Sequence, residues 1–160
     1  MKKDTNFFDA TYDEAKGSFC YRSGMMVYEE CLIDGVLVAS GYNTAGYPLN
    51  VLSNYPTRLD PNLCYEPSAF HLEIDGQCLH YDLSFVDFSV DKSEQSVHAV
   101  LTLVSNVKPI TVKAHTILDG SAVFTRFLEI ENCSDEIMRV SRMEILSGGL
   151  EKMVCFTEKT

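Results

Sequence analysis

Four histidines, His71, His80, His98 and His115, fall in segments with strand-like alternation, and His71 stands two residues before Glu73. That spacing puts an imidazole and a carboxylate on one strand face about 7 Å apart, close enough for acid and base work on the two sides of a sugar ring. A solvated strand face has the same spacing and is the expected role. Arg126 lies between Phe124 and Leu128 on what the alternation marks as the inward face of its strand. A buried guanidinium must be paired, and Glu73, Glu129 and Glu144 are its candidate partners, giving a structural ion pair or an edge position, with a polar contact in a cleft as the alternative. Glu29-Glu30 and Glu129-x-Glu131 read as exposed strand faces. Retaining glycosidases need two carboxyls about 5 Å apart across a cleft, and a local repeat does not supply a cleft.

The best contact surface for a ligand is the run 41–67, GYNTAGYPLNVLSNYPTRLDPNLCYEP, which holds four of the five prolines and four tyrosines. It is expected to be a long irregular loop, and loops of this length in a compact domain are usually functional or disordered. Tyr42, Tyr47, Tyr55 and Tyr65 supply flat apolar faces with a hydroxyl at one end, the complement of a pyranose ring. No tryptophan joins them.

The elements that would position these residues are strands. Ser18–Leu32 is apolar but interrupted by Gly24, which suits two short strands or a kinked one. Asp34-Gly35 then signals a hairpin into Val36–Ala39. Phe70, Leu72 and Ile74 alternate with His71, Glu73 and Asp75, and Asp75-Gly76 turns the chain toward Leu79, Tyr81, Leu83 and Phe85. The apolar phase then shifts to Val86, Phe88 and Val90, predicting a β-bulge near Phe85. Val97–Val104 is apolar on both faces, as for a strand between two layers. Three further strands are marked by Ile110, Val112, Ala114 and Thr116; by Phe124, Leu128 and Ile130; and by Ile137, Met143 and Ile145. Asp119-Gly120 and Asn132-Cys133-Ser134-Asp135 supply the turns between them. No window combines helical period, caps and length. The fold class is therefore all-β, an antiparallel β-sandwich with little helix, in one domain over residues 1–160.

Composition narrows the partners. A chain of 160 residues with 46% hydrophobic and 22% charged residues buries a core of its own. Thirteen basic against 23 acidic residues give a net charge of −10, which repels phosphate backbones and anionic lipid surfaces. Neither nucleic acid nor membrane is an expected partner. Two lysines open the chain without an apolar run behind them, so the expected location is cytoplasmic. Cys20, Cys31, Cys64, Cys78, Cys133 and Cys155 are scattered, with no C-x-x-C pair and no zinc-finger spacing. They are expected to be reduced thiols, mostly packed as small apolar side chains, and no metal or cofactor is expected.

One stretch is more specific than its periodicity. KPITVKAHTILDGSAVFTRFLEIENCSDEIMRVSRMEILSGG, from Lys108 to Gly149, together with FHLEIDGQ from Phe70 to Gln77, resembles the N-terminal β-sandwich domain of bacterial α-galactosidases of glycoside hydrolase family 36. The resemblance runs from about Tyr65 to Leu150 and is strongest in PITVKAHTILDGSAVFTRFLEIEN. It implies part of a β-supersandwich of the galactose-mutarotase-like class, followed in the parent enzyme by a (β/α)8 barrel that carries the catalytic carboxylates. On that reading no catalytic residue lies on this chain. Its partners are the barrel of the same or a parent chain, α-galactoside sugars and further copies in a homo-oligomer. In the family a loop of this domain reaches a neighbouring subunit's active site, and Asp60, in TRLDPN, is similar in local context to its substrate-contacting Asp. Asp60, Tyr47, Tyr55 and Tyr65 are therefore the candidate substrate-binding residues.

The resemblance also implies a sandwich larger than this chain supplies, so an open sheet edge or uncovered apolar face is expected. Self-association, docking on a partner or marginal stability would follow. Two other roles remain open: a free-standing carbohydrate-binding or protein-interaction module, and an epimerase-like enzyme using His71 or His115 with a carboxylate. The second is suggested by aldose 1-epimerases, which share the fold class and use a His acid and a Glu base.

Overall fold

Period-two alternation governs the whole of the computed structural model, which describes residues 8–44 and 68–145. The strands in chain order are β1 (Phe8–Asp13), β2 (Ser18–Ser23), β3 (Met26–Ile33), β4 (Val36–Thr44), β5 (His71–Ile74), β6 (Gln77–Cys78), β7 (Leu83–Lys92), β8 (Val97–Ser105), β9 (Ile110–Leu118), β10 (Phe124–Asn132) and β11 (Val140–Glu144). No helix occurs among the described residues. The strands make three sheets, ordered β1-β2-β3-β4, β10-β9-β8-β7 and β11-β5-β6. All pairings of named strands are antiparallel. The fold class is all-β, as the alternation predicts.

The first two sheets face each other, with β1 against β8 and β2 against β9. Phe19 and Tyr21 from β2 join Leu101 and Leu103 from β8 and Val112 and Ala114 from β9 in one buried layer. Each fully buried side chain of Leu or Phe size adds about 1.5–3 kcal/mol relative to exposure. At one end of this layer Tyr12 stacks on Phe19 at 4.8 Å and on Phe85 at 4.9 Å. The third sheet adds Phe70, Leu72, Ile74 and Leu79 to the same core. It is joined to the first where the Ala69 amide donates to the Leu37 carbonyl at 2.8 Å and Val38 bridges to Ser68.

Several expectations hold in detail. Asp34-Gly35 and Asp75-Gly76 each have both residues at positive φ, the conformation of a two-residue hairpin turn. Gly24 divides β2 from β3, and the bulge falls between Phe85 and Asp87, returning Phe88 and Val90 to the core face.

Other expectations are corrected. β4 continues through Gly41–Thr44, so those four residues of the expected 41–67 loop are strand, and residues 45–67 lie outside the described part. β6 is only two residues long because the chain turns at 80–82 and enters a different sheet as β7. β8 buries Val97, Ala99, Leu101 and Leu103, but Val100 and Val104 are only half covered. It is the interior strand of one sheet, not a strand between two layers. The third strand of the Lys108–Gly149 run does not pair with β10. β11 crosses to β5, leaving Ile137 fully exposed ahead of it.

The turn after β2 explains how the two large sheets are held in place. The Gly120 amide, in the β9–β10 turn, donates to the Ser23 hydroxyl at 3.1 Å. A Cβ at Gly24 would meet the Gly120 carbonyl oxygen at 2.7 Å, whereas one at Gly76 would find nothing nearer than 4.0 Å. Both glycines have positive φ, so the backbone strain of an alanine is common to the two sites. Gly24→Ala is therefore expected to lower the urea midpoint clearly more than Gly76→Ala, and equal losses would show that the inter-sheet approach is not tight.

Asp75 anchors the third sheet. Its carboxylate accepts from Lys108 Nζ at 2.8 Å and from the Arg139 amide at 2.9 Å, and those bonds hold it below the usual carboxylate range. A depressed folded pKa gives stabilisation that is present above about pH 4, the unfolded value, and lost as the pH falls through the folded one. Asp75→Asn should be less stable than the parent chain at neutral pH, with the gap closing under acid. A gap that persists unchanged at pH 2–3 would rule out the carboxylate as its source.

Candidate functional site

The residues nominated from sequence for sugar contact, Tyr47, Tyr55, Asp60 and Tyr65, lie outside the described residues. Tyr42, their expected companion, belongs to β4. Its half-buried ring packs edge-on against Tyr28 of β3 at 6.2 Å and Phe124 of β10 at 5.9 Å, between the two large sheets.

Chemistry-bearing side chains gather in three other places. The first is buried between the two large sheets. Glu30 on β3 is fully enclosed and is bound to Nη2 of Arg126 on β10, whose side chain is 6% exposed. Tyr28 donates its hydroxyl to Glu30 Oε1 at 2.8 Å, Arg126 Nη1 donates to Thr116 Oγ1 at 3.1 Å, and the guanidinium lies 5.4 Å from the centre of the Tyr28 ring. Burial, with the Glu30 charge adding to it, pushes the phenols of Tyr21 and Tyr28 well up. Burial would lower Arg126, but the charge and hydrogen bond of Glu30 together with the Tyr28 and Tyr21 phenols outweigh it, and the guanidinium is held more firmly protonated.

This centre corrects two expectations. Arg126 is inward and paired, but its partner is Glu30 and not Glu73, Glu129 or Glu144. Glu30 itself is buried, where the Glu29-Glu30 pair was expected on an exposed face. The overlooked signal is the register of the hairpin through Gly24-Met25. It sets Tyr28 opposite Tyr21 and Glu30 opposite Phe19, and cross-strand partners share a face.

A second group lies on the outer face of the β10-β9-β8-β7 sheet. His98 Nε2 and His115 Nδ1 are 3.0 Å apart, and His115 Nε2 is 3.3 Å from Glu129 Oε2 without hydrogen-bond geometry. Phe127 stacks flat on the His115 ring at 4.4 Å. Lys113 bonds Glu129 at 2.7 Å, which holds that carboxylate below its usual range and raises the lysine. Glu129 and Glu131 are exposed, as expected. His115 thus does meet a carboxylate, but Lys113 already occupies it.

The third group surrounds the β5–β6 hairpin. His71 does not stand alone with Glu73. Its ring meets that of His80 at 4.2 Å, and His80 in turn meets Tyr81 at 3.9 Å. One donor atom from each of His71, Cys78 and His80 lies within 4.8 Å of the other two. Burial first, then the neighbouring His71, lowers His80, which favours the neutral ring. Among the described cysteines, Cys20, Cys31, Cys78 and Cys133 are all free. Cys20 and Cys31 are half-buried, whereas Cys78 and Cys133 are exposed and depart from the expected packing as small apolar side chains.

No family model and no curated protein matches the chain. Solved structures do. The GH36 α-galactosidase AgaB from Geobacillus stearothermophilus matches with a TM-score of 0.60 at 15% identity, over 82% of this chain and 24% of that one. The chain shares its fold with part of a GH36 α-galactosidase. A doubly substituted AgaA from the same organism, in complex with raffinose, matches with a TM-score of 0.57 at 15% identity, over 77% of this chain and 23% of that one. A singly substituted AgaA in complex with 1-deoxygalactonojirimycin gives the same four values. The chain spans about a quarter of the length of each.

Of the three groups, the Glu30–Arg126 pair is closed to any ligand and holds sheet to sheet. Removing one partner strands the other charge in the core, which costs about 3–5 kcal/mol, whereas replacing both by apolar groups of similar volume is often near neutral. Arg126→Met should therefore destabilise the chain strongly in urea, and adding Glu30→Leu should recover most of the loss. A double variant as unstable as the single one would show that the cost lies in packing and not in the orphaned carboxylate.

Proposed function

We propose that this chain is a non-catalytic β-sandwich domain of an α-galactosidase-like glycoside hydrolase. It packs against a (β/α)8 catalytic barrel, supports assembly of the oligomer, and lends residues 45–67 to the rim of the sugar pocket. One observation carries the reading: about four fifths of the chain follows the fold of enzymes crystallised with raffinose and with 1-deoxygalactonojirimycin.

The carboxylates point the same way. Glu30 is bound to Arg126, Glu129 to Lys113 and Asp75 to Lys108. A glycosidase needs one carboxyl free to act as acid and a second free to attack or to activate water, whereas these three are neutralised by fixed cations. The same account favours a scaffold over the epimerase-like enzyme, because the carboxylate beside His115 is already bound to Lys113 and the His71 ring packs against His80.

The reading is tested by the DNA beyond the codon for Thr160 together with two assays on the 160-residue chain. The frame is expected to continue into a barrel with suitably placed aspartates, and the longer product to hydrolyse terminal α-galactosides. The isolated chain should show neither hydrolysis nor accelerated mutarotation. A stop codon with no barrel encoded nearby, joined by saturable binding of the chain to immobilised galactosides, would replace this reading with that of a free-standing module.

A further inference from the structure

The β5–β6 hairpin places three metal-binding side chains on one face by arithmetic alone. Its two-residue turn at Asp75-Gly76 pairs Glu73 with Cys78 and Ile74 with Gln77. The Leu79 amide donates to the Leu72 carbonyl at 2.9 Å, which carries the register one step further and sets His80 opposite His71. Side chains at alternate positions share a face, so His71, Cys78 and His80 converge while Leu72, Ile74 and Leu79 point into the core.

We propose that His71, Cys78 and His80 bind a zinc ion, with one coordination position left open to solvent.

Two buried ring nitrogens, Nε2 of His71 and Nδ1 of His80, have no hydrogen-bond partner. A buried polar atom without a partner is destabilising, and two such atoms in one cluster call for a shared partner. Two imidazoles and a thiol form a borderline-to-soft donor set, which suits zinc and disfavours magnesium and calcium. With Zn–N near 2.0–2.1 Å and Zn–S near 2.3 Å, a tetrahedral ion requires donors about 3.3–3.6 Å apart. The observed separations of up to 4.8 Å close to that by small side-chain rotations. Cys78 is exposed and gives the ion a path in. Glu144, opposite His71 in the β11–β5 register, is bound to Arg142 and is not counted among the ligands. Binding converts the Cys78 thiol to a zinc-bound thiolate and releases its proton to solvent. Three protein ligands plus an open position is the arrangement of a reactive zinc site, whereas a structural one is closed by four.

Cobalt(II) as a spectroscopic substitute, followed by zinc competition, tests the site on the 160-residue chain. One equivalent should give the charge-transfer band of a thiolate-bound, tetrahedral ion, and zinc should remove it. Cys78→Ser, a change at an exposed position, should abolish that band and weaken zinc binding about tenfold or more. Cysteine-resolved alkylation by iodoacetamide gives a second readout: zinc should slow modification of Cys78 at least tenfold and leave the equally exposed Cys133 unchanged. The proposal is overturned by absence of stoichiometric binding, by undiminished binding in Cys78→Ser, or by equal protection of both thiols.

Discussion

A single charged contact between the two large sheets constrains the rest of the fold. Glu30 and Arg126 come from strands on opposite layers, and each is a group whose burial would be prohibitive without the other. An apolar sandwich of alternating strands can slide by two residues and still bury oil against oil. A buried carboxylate and guanidinium cannot, since a slip separates them by a full repeat and leaves two charges stranded. Tyr28 and Thr116 add hydrogen bonds from either layer, so the contact fixes angle as well as register.

That constraint reaches the surface through short turns. Gly24 lies against Gly120 where the β2–β3 and β9–β10 turns meet, at one end of the Glu30–Arg126 layer. The Asp75-Gly76 turn is bound at once to Lys108, Arg139 and Ser141. The smallest sheet is therefore held at its turn by Lys108, from between β8 and β9, and by Arg139 and Ser141 at the start of β11, in addition to its own two-residue β6. A ligand set on that hairpin inherits a rigid frame, because every backbone step from His71 to His80 is fixed by a pairing or a turn.

The chemistry of the described surface divides in the same way. Charges on the outer face of the β10-β9-β8-β7 sheet neutralise each other, Lys113 with Glu129 and Glu131, while His115 is covered by Phe127. On this face the charged groups are consumed in holding strand to strand. The β5–β6 face departs from that rule, since its donors are brought together and left without partners.

Much of this was legible in the residue order. Alternation marked the strands, Asp34-Gly35 and Asp75-Gly76 marked the hairpins, and the phase shift after Phe85 marked the bulge, because each is decided within a few residues by backbone sterics and side-chain period. The convergence of His71, Cys78 and His80 was also written there, in the register that a two-residue turn imposes, although their scattered spacing resembled no known ligand pattern. What only the tertiary structure decided was which strand meets which across long intervals. Arg126 met Glu30, 96 residues away, and not a nearer acid; β11 crossed to β5 and left Ile137 in solvent. Such choices depend on the total burial and pairing of whole sheets, a sum over distant residues that no local period contains.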